Sequence, residues 1–182
     1  MKTNKAFILF ATAAAYGRLI GLALAQDNIQ FEAQSGKITA PFTLTGNYIS
    51  QAISTEVTNG GRAVYSFTLT NSGTYVIKAK VNAPNNQSNS FYISVDAEPQ
   101  EPSVIWDIPV TTGFNERFVL CRGIEPPKIG RFVPQVFNLS NGDHQLIIVG
   151  KTADTKLAQI SVMKNNRLEP PQPPQLLSVI AN

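Results

Sequence analysis

The chain has 182 residues, with 15 Lys and Arg against 12 Asp and Glu, one histidine and one cysteine. Lys2, Lys5 and Arg18 fall in a leader-like segment, so the remainder carries twelve charges of each sign and nothing that draws in nucleic acid electrostatically. One cysteine excludes an intrachain disulfide, and a domain of about 150 residues buries about 70% of its unfolded surface without one.

Lys2 and Lys5 lead an apolar run over residues 6–15, and Ala23-Leu24-Ala25 has the small-x-small pattern of a cleavage site. Residues 1–25 are therefore expected to be a secretory signal peptide, and the mature protein to lie outside the cell, in the periplasm or on the cell surface. Arg18 splits the apolar stretch, which argues against a permanent span of about 20 apolar residues.

A single domain is expected over 26–168. Its clearest strands lie between Ala63 and Asp96. Ala63, Tyr65, Phe67 and Leu69 share one side, with Ser66, Thr68 and Thr70 on the other. After Asn71-Ser72-Gly73 the inward set resumes with Tyr75, Ile77, Ala79 and Val81, and Lys78, Lys80 and Asn82 point out. Phe91, Ile93 and Val95 then alternate with Ser90, Ser94 and Asp96. No helical period of useful length competes with this pattern.

Pro99 and Pro102 mark a loop, and Pro109 ends or edges the short run from Val104 to Val110. Glu116 to Leu120 is a further expected strand, and Gly123, Pro126, Pro127 and Gly130 break up the segment after it. Cys121, at the end of that strand, is a small buried hydrophobe, a reactive thiol or an intermolecular link. Val136 to Leu139 and Gln145 to Val149 flank Ser140-Asn141-Gly142-Asp143 and predict a hairpin, and Lys156 to Lys164 closes the domain. Four prolines in 169–175 predict an extended tether before the apolar Leu176 to Ile180. Residues 169–182 thus form a tail that either frays or docks on a second copy or another exported protein.

About ten short strands without a helical period predict an all-β, two-sheet β-sandwich of jelly-roll type. No catalytic set assembles. His144, the sole histidine, comes after Gly142-Asp143 and is expected as a solvated turn residue. Glu98, Glu101, Asp107 and Glu116 supply carboxylates without a recognisable cleft motif, so the chain is expected not to be an enzyme.

Several segments together resemble carbohydrate-binding modules of the family 6 and family 35 kind, the galactose-binding-like jelly rolls. These are Phe31-Glu32-Ala33-Gln34, Gly73-Thr74-Tyr75 leading into Lys78-Ala79-Lys80-Val81, and Asn89-Ser90-Phe91-Tyr92-Ile93-Ser94-Val95-Asp96. Trp106, Phe137-Asn138-Leu139, Gly142-Asp143-His144-Gln145-Leu146 and Thr155-Lys156-Leu157 continue the likeness, which spans about residues 29–164. The resemblance implies a non-catalytic, secreted module that binds a glycan or polysaccharide. The alternative is a structural or assembly subunit that uses the sandwich and tail for protein contacts.

The resemblance also implies a structural calcium near the first strand. Its acidic positions read Glu32, Gln34 and Ala158 here, so Glu32 is the best candidate ligand, with Gln34 offering a neutral carbonyl. Sugar recognition needs an aromatic face for the apolar side of a pyranose, with planar polar groups for its hydroxyls. Trp106, Tyr92 and Phe114 are the candidate platforms, and Asn89, Asn115, Glu116 and Arg117 the candidate polar contacts. Trp106 reads equally as a core indole.

Overall fold

The computed structural model describes residues 28–101, 104–121 and 134–165. The signal peptide expected over 1–25, the irregular run 122–131 and the tail 169–182 lie outside the described residues.

Among the described residues twelve strands form two antiparallel sheets, and the only helical piece is a 3-10 turn, Ala33–Ser35. The strands are β1 (Asn28–Glu32), β2 (Lys37–Thr39), β3 (Thr43–Thr45), β4 (Tyr48–Ser50), β5 (Arg62–Leu69) and β6 (Gly73–Asn82). They continue with β7 (Ser90–Val95), β8 (Ile105–Asp107), β9 (Asn115–Phe118), β10 (Val136–Leu139), β11 (Gly142–Gly150) and β12 (Lys156–Lys164). The larger sheet runs β10-β6-β12-β4-β3, with β9 also on β6 and β1 also on β12. The smaller runs β2-β5-β11-β7-β8.

Alternation explains the core. Ala63, Tyr65, Phe67 and Leu69 from β5 face Tyr75, Ile77, Ala79 and Val81 from β6, joined by Phe91, Ile93, Leu146, Ile148, Ile160 and Val162. Each large aliphatic side chain removed from water here contributes roughly 1.5–3 kcal/mol. Tyr65 places its hydroxyl on the Ala33 carbonyl at 2.8 Å, so its inward position leaves no polar atom unpaired.

The expected hairpin between β10 and β11 does not form. β10 pairs with the start of β6, Val136 opposite Val76, whereas β11 pairs with β5 and β7 in the other sheet. The Ser140–Gly142 turn therefore crosses between the sheets, as jelly-roll connections do. β7 also departs from simple alternation, because Ser90 to Ser94 are buried on both faces. A second cluster of Tyr92, Ile105, Ile147 and Val149 covers its outer side, with Val57, Val64 and Val104 packed against it.

Candidate functional site

The connections 51–61, 83–89, 108–114 and 151–155 all cross between the sheets at one end of the sandwich. They are laced together by backbone bonds: Thr55 N to Lys151 O at 2.8 Å, Asp154 N to Gln51 O at 2.8 Å, Ile108 N to Asn89 O at 2.8 Å, and Thr111 N to Ala83 O at 2.9 Å. Thr152 is a hub, its Oγ1 accepting from the amides of Asn89 at 3.0 Å and Ser90 at 2.8 Å. Gln51, buried, receives Gly61 N on Oε1 at 3.1 Å and donates from Nε2 to Ile53 O at 2.7 Å and Thr55 Oγ1 at 2.9 Å. A side chain at Gly150 would drive its Cβ into the buried, hydrogen-bonded amide of Gln51, so the close approach requires glycine.

At this end of the scaffold two aromatic rings pair, while a third, Phe118, is exposed further along β9. Phe114 and Tyr48 are half-exposed, with ring centroids 5.6 Å apart and planes inclined at 49°. Gly113, at φ 71°, turns the chain immediately before Phe114, and the Asn115 side chain closes that turn by donating to Thr112 O at 3.1 Å. Tyr48 alternates with Ile49, whose full burial turns Tyr48 outward. Lys156, opening β12, lies over the Tyr48 ring with its Nζ 5.1 Å from the centroid.

The expected site residues divide. Phe114, Asn115, Glu116 and Arg117 run together from the loop end into β9. Glu116 is exposed and its carboxylate takes Lys78 Nζ at 2.9 Å, while Arg117 Nη1 donates to the Glu116 carbonyl at 3.1 Å. Asn89 spends its amide within the loops, donating to Ile108 O at 3.3 Å, with its Oδ1 3.0 Å from Ser90 Oγ.

Trp106 and Tyr92 need correction as stacking platforms. Trp106 is 0% exposed between the sheets, 6.1 Å from Phe91 centroid to centroid, and no ring face meets solvent. Tyr92 is also 0% exposed. Lys151 covers its ring at 4.8 Å and donates to its hydroxyl at 3.1 Å. Burial first, then the carboxylates of Glu101 and Glu56, push the Tyr92 phenol pKa well up. Sequence reasoning misses Tyr48 and Lys156 as site residues. For Tyr48 the signal is present in the Gly46-Asn47 turn and the Tyr48-Ile49-Ser50 alternation.

His144 also departs from expectation. It is buried rather than solvated, with Nδ1 2.6 Å from Asp96 Oδ2 and Nε2 2.9 Å from the Ser140 carbonyl. Burial alone lowers its pKa, but the hydrogen bonds to Asp96 and Ser140 and the charges of Asp96 and Asp143 outweigh that and leave it raised. Asp96, at φ 61°, also caps the Gln145 amide at 2.8 Å. An open groove of about 690 Å³ lies beside this cluster, at the opposite end from Phe114. Its two rings, Phe67 and His144, are both buried, so it offers no stacking face.

The residues at the implied calcium position do not fit the metal. Calcium takes six to eight oxygens, several of them charged. Glu32 Oε1 instead accepts from Gln159 Nε2 at 2.8 Å, across the β1–β12 pair that sets Glu32 opposite Gln159. Gln34 is exposed, Ala158 is buried, and among the described residues no three His, Cys, Asp or Glu side chains gather. Cys121 is half-buried, and burial followed by the charge of Asp107 pushes its thiol up to about 12, which makes it a poor nucleophile.

Two antiparallel sheets with sheet-crossing connections define a jelly-roll sandwich of the type found in family 6 and family 35 carbohydrate-binding modules. The C-terminal family 6 module of a marine laminarinase from Zobellia galactanivorans superposes with a TM-score of 0.55 at 16% identity, over 76% of this chain and 100% of that one. A family 35 module from Clostridium thermocellum gives 0.53 at 14% identity, over 76% and 99%. A Podospora anserina β-(1,4)-mannanase carrying a family 35 module gives 0.53 at 12% identity, over 81% of this chain and 29% of that one. No family profile matches the sequence, and none of the curated proteins does.

Proposed function

We propose that the chain is an exported, non-catalytic carbohydrate-binding module that holds a glycan against Phe114 and Tyr48 at the loop end of the sandwich. The observation that carries this reading is the half-exposed aromatic pair, fixed on a laced loop end of a fold that carbohydrate-binding modules use. Aromatic rings supply the apolar face that a pyranose stacks on, and Glu116, Arg117 and Lys156 lie close by in the chain or the sheet for its hydroxyls.

The non-catalytic part rests on how the polar groups are occupied. Glu98 is clamped by both Arg62 terminal nitrogens at 2.6 and 2.9 Å, Glu116 by Lys78, and Asp107 accepts from Ser90 Oγ at 2.8 Å. His144 is held at both ring nitrogens. None of these stands ready as a general acid or base. Export rests on the leader pattern of residues 1–25.

Affinity electrophoresis of the secreted protein through gels carrying laminarin, mannan, xylan, galactan and polygalacturonate tests the reading. Retardation by at least one glycan is expected, with Phe114→Ala and Tyr48→Ala each weakening it by about fivefold or more, since a stacked ring is worth about 1–3 kcal/mol. Both side chains are half-exposed, so the variants keep the fold. Unchanged retardation in Phe114→Ala overturns the placement of the site.

A further inference from the structure

We infer that the glycan held at this site is anionic, bearing carboxylate or sulfate groups; the inference rests on the carbohydrate-binding reading above. The starting point is Lys156. Its ammonium sits over the Tyr48 ring at 5.1 Å, and among the described residues no carboxylate or other acceptor takes a hydrogen bond from it. A lysine ammonium carries three donors, and an aromatic face satisfies its charge without using them. The cation is therefore held in place beside the platform with its donors uncommitted. Asp154, exposed two residues earlier, is the nearest acid along the chain, and no ion pair joins the two.

The charge around Lys156 has the same sign. Lys156 pairs with Asn82 across β12 and β6, and Lys80 lies on the same outward side of β6, two residues or about 7 Å along the strand from Asn82. Lys80 is exposed, and the Glu116 carboxylate opposite it in register is taken by Lys78. Over the whole larger sheet the strands carry Lys78, Lys80, Arg117, Lys156 and Lys164 against Glu32 and Glu116 alone. The strands of the smaller sheet are balanced, Lys37 and Arg62 against Asp107 and Asp143, so the excess of cations is segregated to the larger sheet.

A neutral polysaccharide gains nothing from that segregation. A row of two uncommitted ammonium groups beside two rings suits a chain that alternates apolar ring faces with negative groups, because stacking fixes the sugar and the lysines meet its charge. Being at the surface, the attraction is screened: the Debye length is about 10 Å at 0.1 M salt and about 3 Å at 1 M.

The test uses the mature protein in titration calorimetry against polygalacturonate, alginate and chondroitin sulfate, beside highly methyl-esterified pectin, laminarin and xylan, with polyglutamate as a charged polymer that has no sugar. Binding to at least one of the three anionic glycans is expected, weakened at least fivefold by 0.5 M NaCl and, for polygalacturonate, by methyl esterification. Lys156→Gln should weaken it about three- to fivefold, as loss of one partly screened ion pair does, and Phe114→Ala should weaken it further. Equal binding of neutral glycans, or an unchanged Lys156→Gln, overturns the anionic inference and leaves the carbohydrate reading standing. Binding of polyglutamate as tight as that of any glycan overturns both, as does the absence of binding to every polysaccharide.

Discussion

Replacing Trp106 by alanine separates a core indole from a ligand platform. The side chain is fully buried against Phe91, and an aromatic of this size removes roughly 200 Å² from water, worth about 5 kcal/mol at about 25 cal/mol per Å². Measured Trp and Phe truncations in cores cost about 3–5 kcal/mol, against a total stability of about 5–15 kcal/mol for a domain. With a urea dependence near 2 kcal/mol per molar, the unfolding midpoint should fall by about 1.5–2.5 M. Trp106→Phe should behave differently. Among the described residues the indole Nε1 has no hydrogen-bond partner, so phenylalanine removes an unsatisfied donor worth roughly 1–3 kcal/mol while leaving a smaller void, and the two effects largely cancel. Urea unfolding monitored by far-UV circular dichroism reads both variants without relying on tryptophan fluorescence. A Trp106→Ala protein as stable as the parent but unable to bind glycan would refute the assignment, and a Trp106→Phe variant as damaged as the alanine one would show that the N–H is satisfied after all.

Two further expectations rest on single contacts. The folded-state pKa of His144 is raised, so its contribution is complete below the unfolded value of about 6.5 and fades as pH rises through the folded value; the urea midpoint gap between the parent and His144→Gln should therefore be wide at pH 5.5 and narrow at pH 8.5, and a gap that widens with pH contradicts the Asp96–His144–Ser140 clasp. At the first strand, Glu32 accepts from Gln159 and no second acid joins it among the described residues, so the melting temperature should move by less than about 1 °C between 1 mM calcium and excess chelator; a rise of several degrees with calcium would restore the metal.

The inward faces of β5 and β6 were legible because one side of each strand packs and the other meets water, which writes period two into the sequence. β7 hid its outer cover, since Val57, Val64 and Val104 reach Tyr92 and its neighbours from distant segments and bury both sides alike. Turn chemistry at Ser140–Gly142 announced a reversal but not the sheet each arm joins, and that choice is made by partners up to 87 residues away, as Val149 is from Arg62. The burial of His144 has the same origin: its partner Asp96 lies 48 residues earlier. Trp106 sits in a strand of three residues, too short for alternation to tell core from surface. Phe114 to Arg117 could be picked out as a loop aromatic beside polar residues, whereas Tyr48 and Lys156 join them only through the pairing of β4 with β12.

The loop end is more rigid than its composition implies, and that bears on how a shallow surface binds. Gln51 and Thr152 between them fasten three connections with bonds of 2.7 to 3.1 Å, and Gly150 lets the Gln51 amide approach the end of β11. A ligand that stacks on Phe114 and Tyr48 therefore does not have to order the loops beneath them, and the entropy saved is affinity gained. The same lacing separates two kinds of substitution. Changes at Phe114, Tyr48 or Lys156 act on the ligand alone, because these side chains pack on one another at the surface. Changes at Gln51, Thr152 or Trp106 act through the scaffold, lowering stability and binding together.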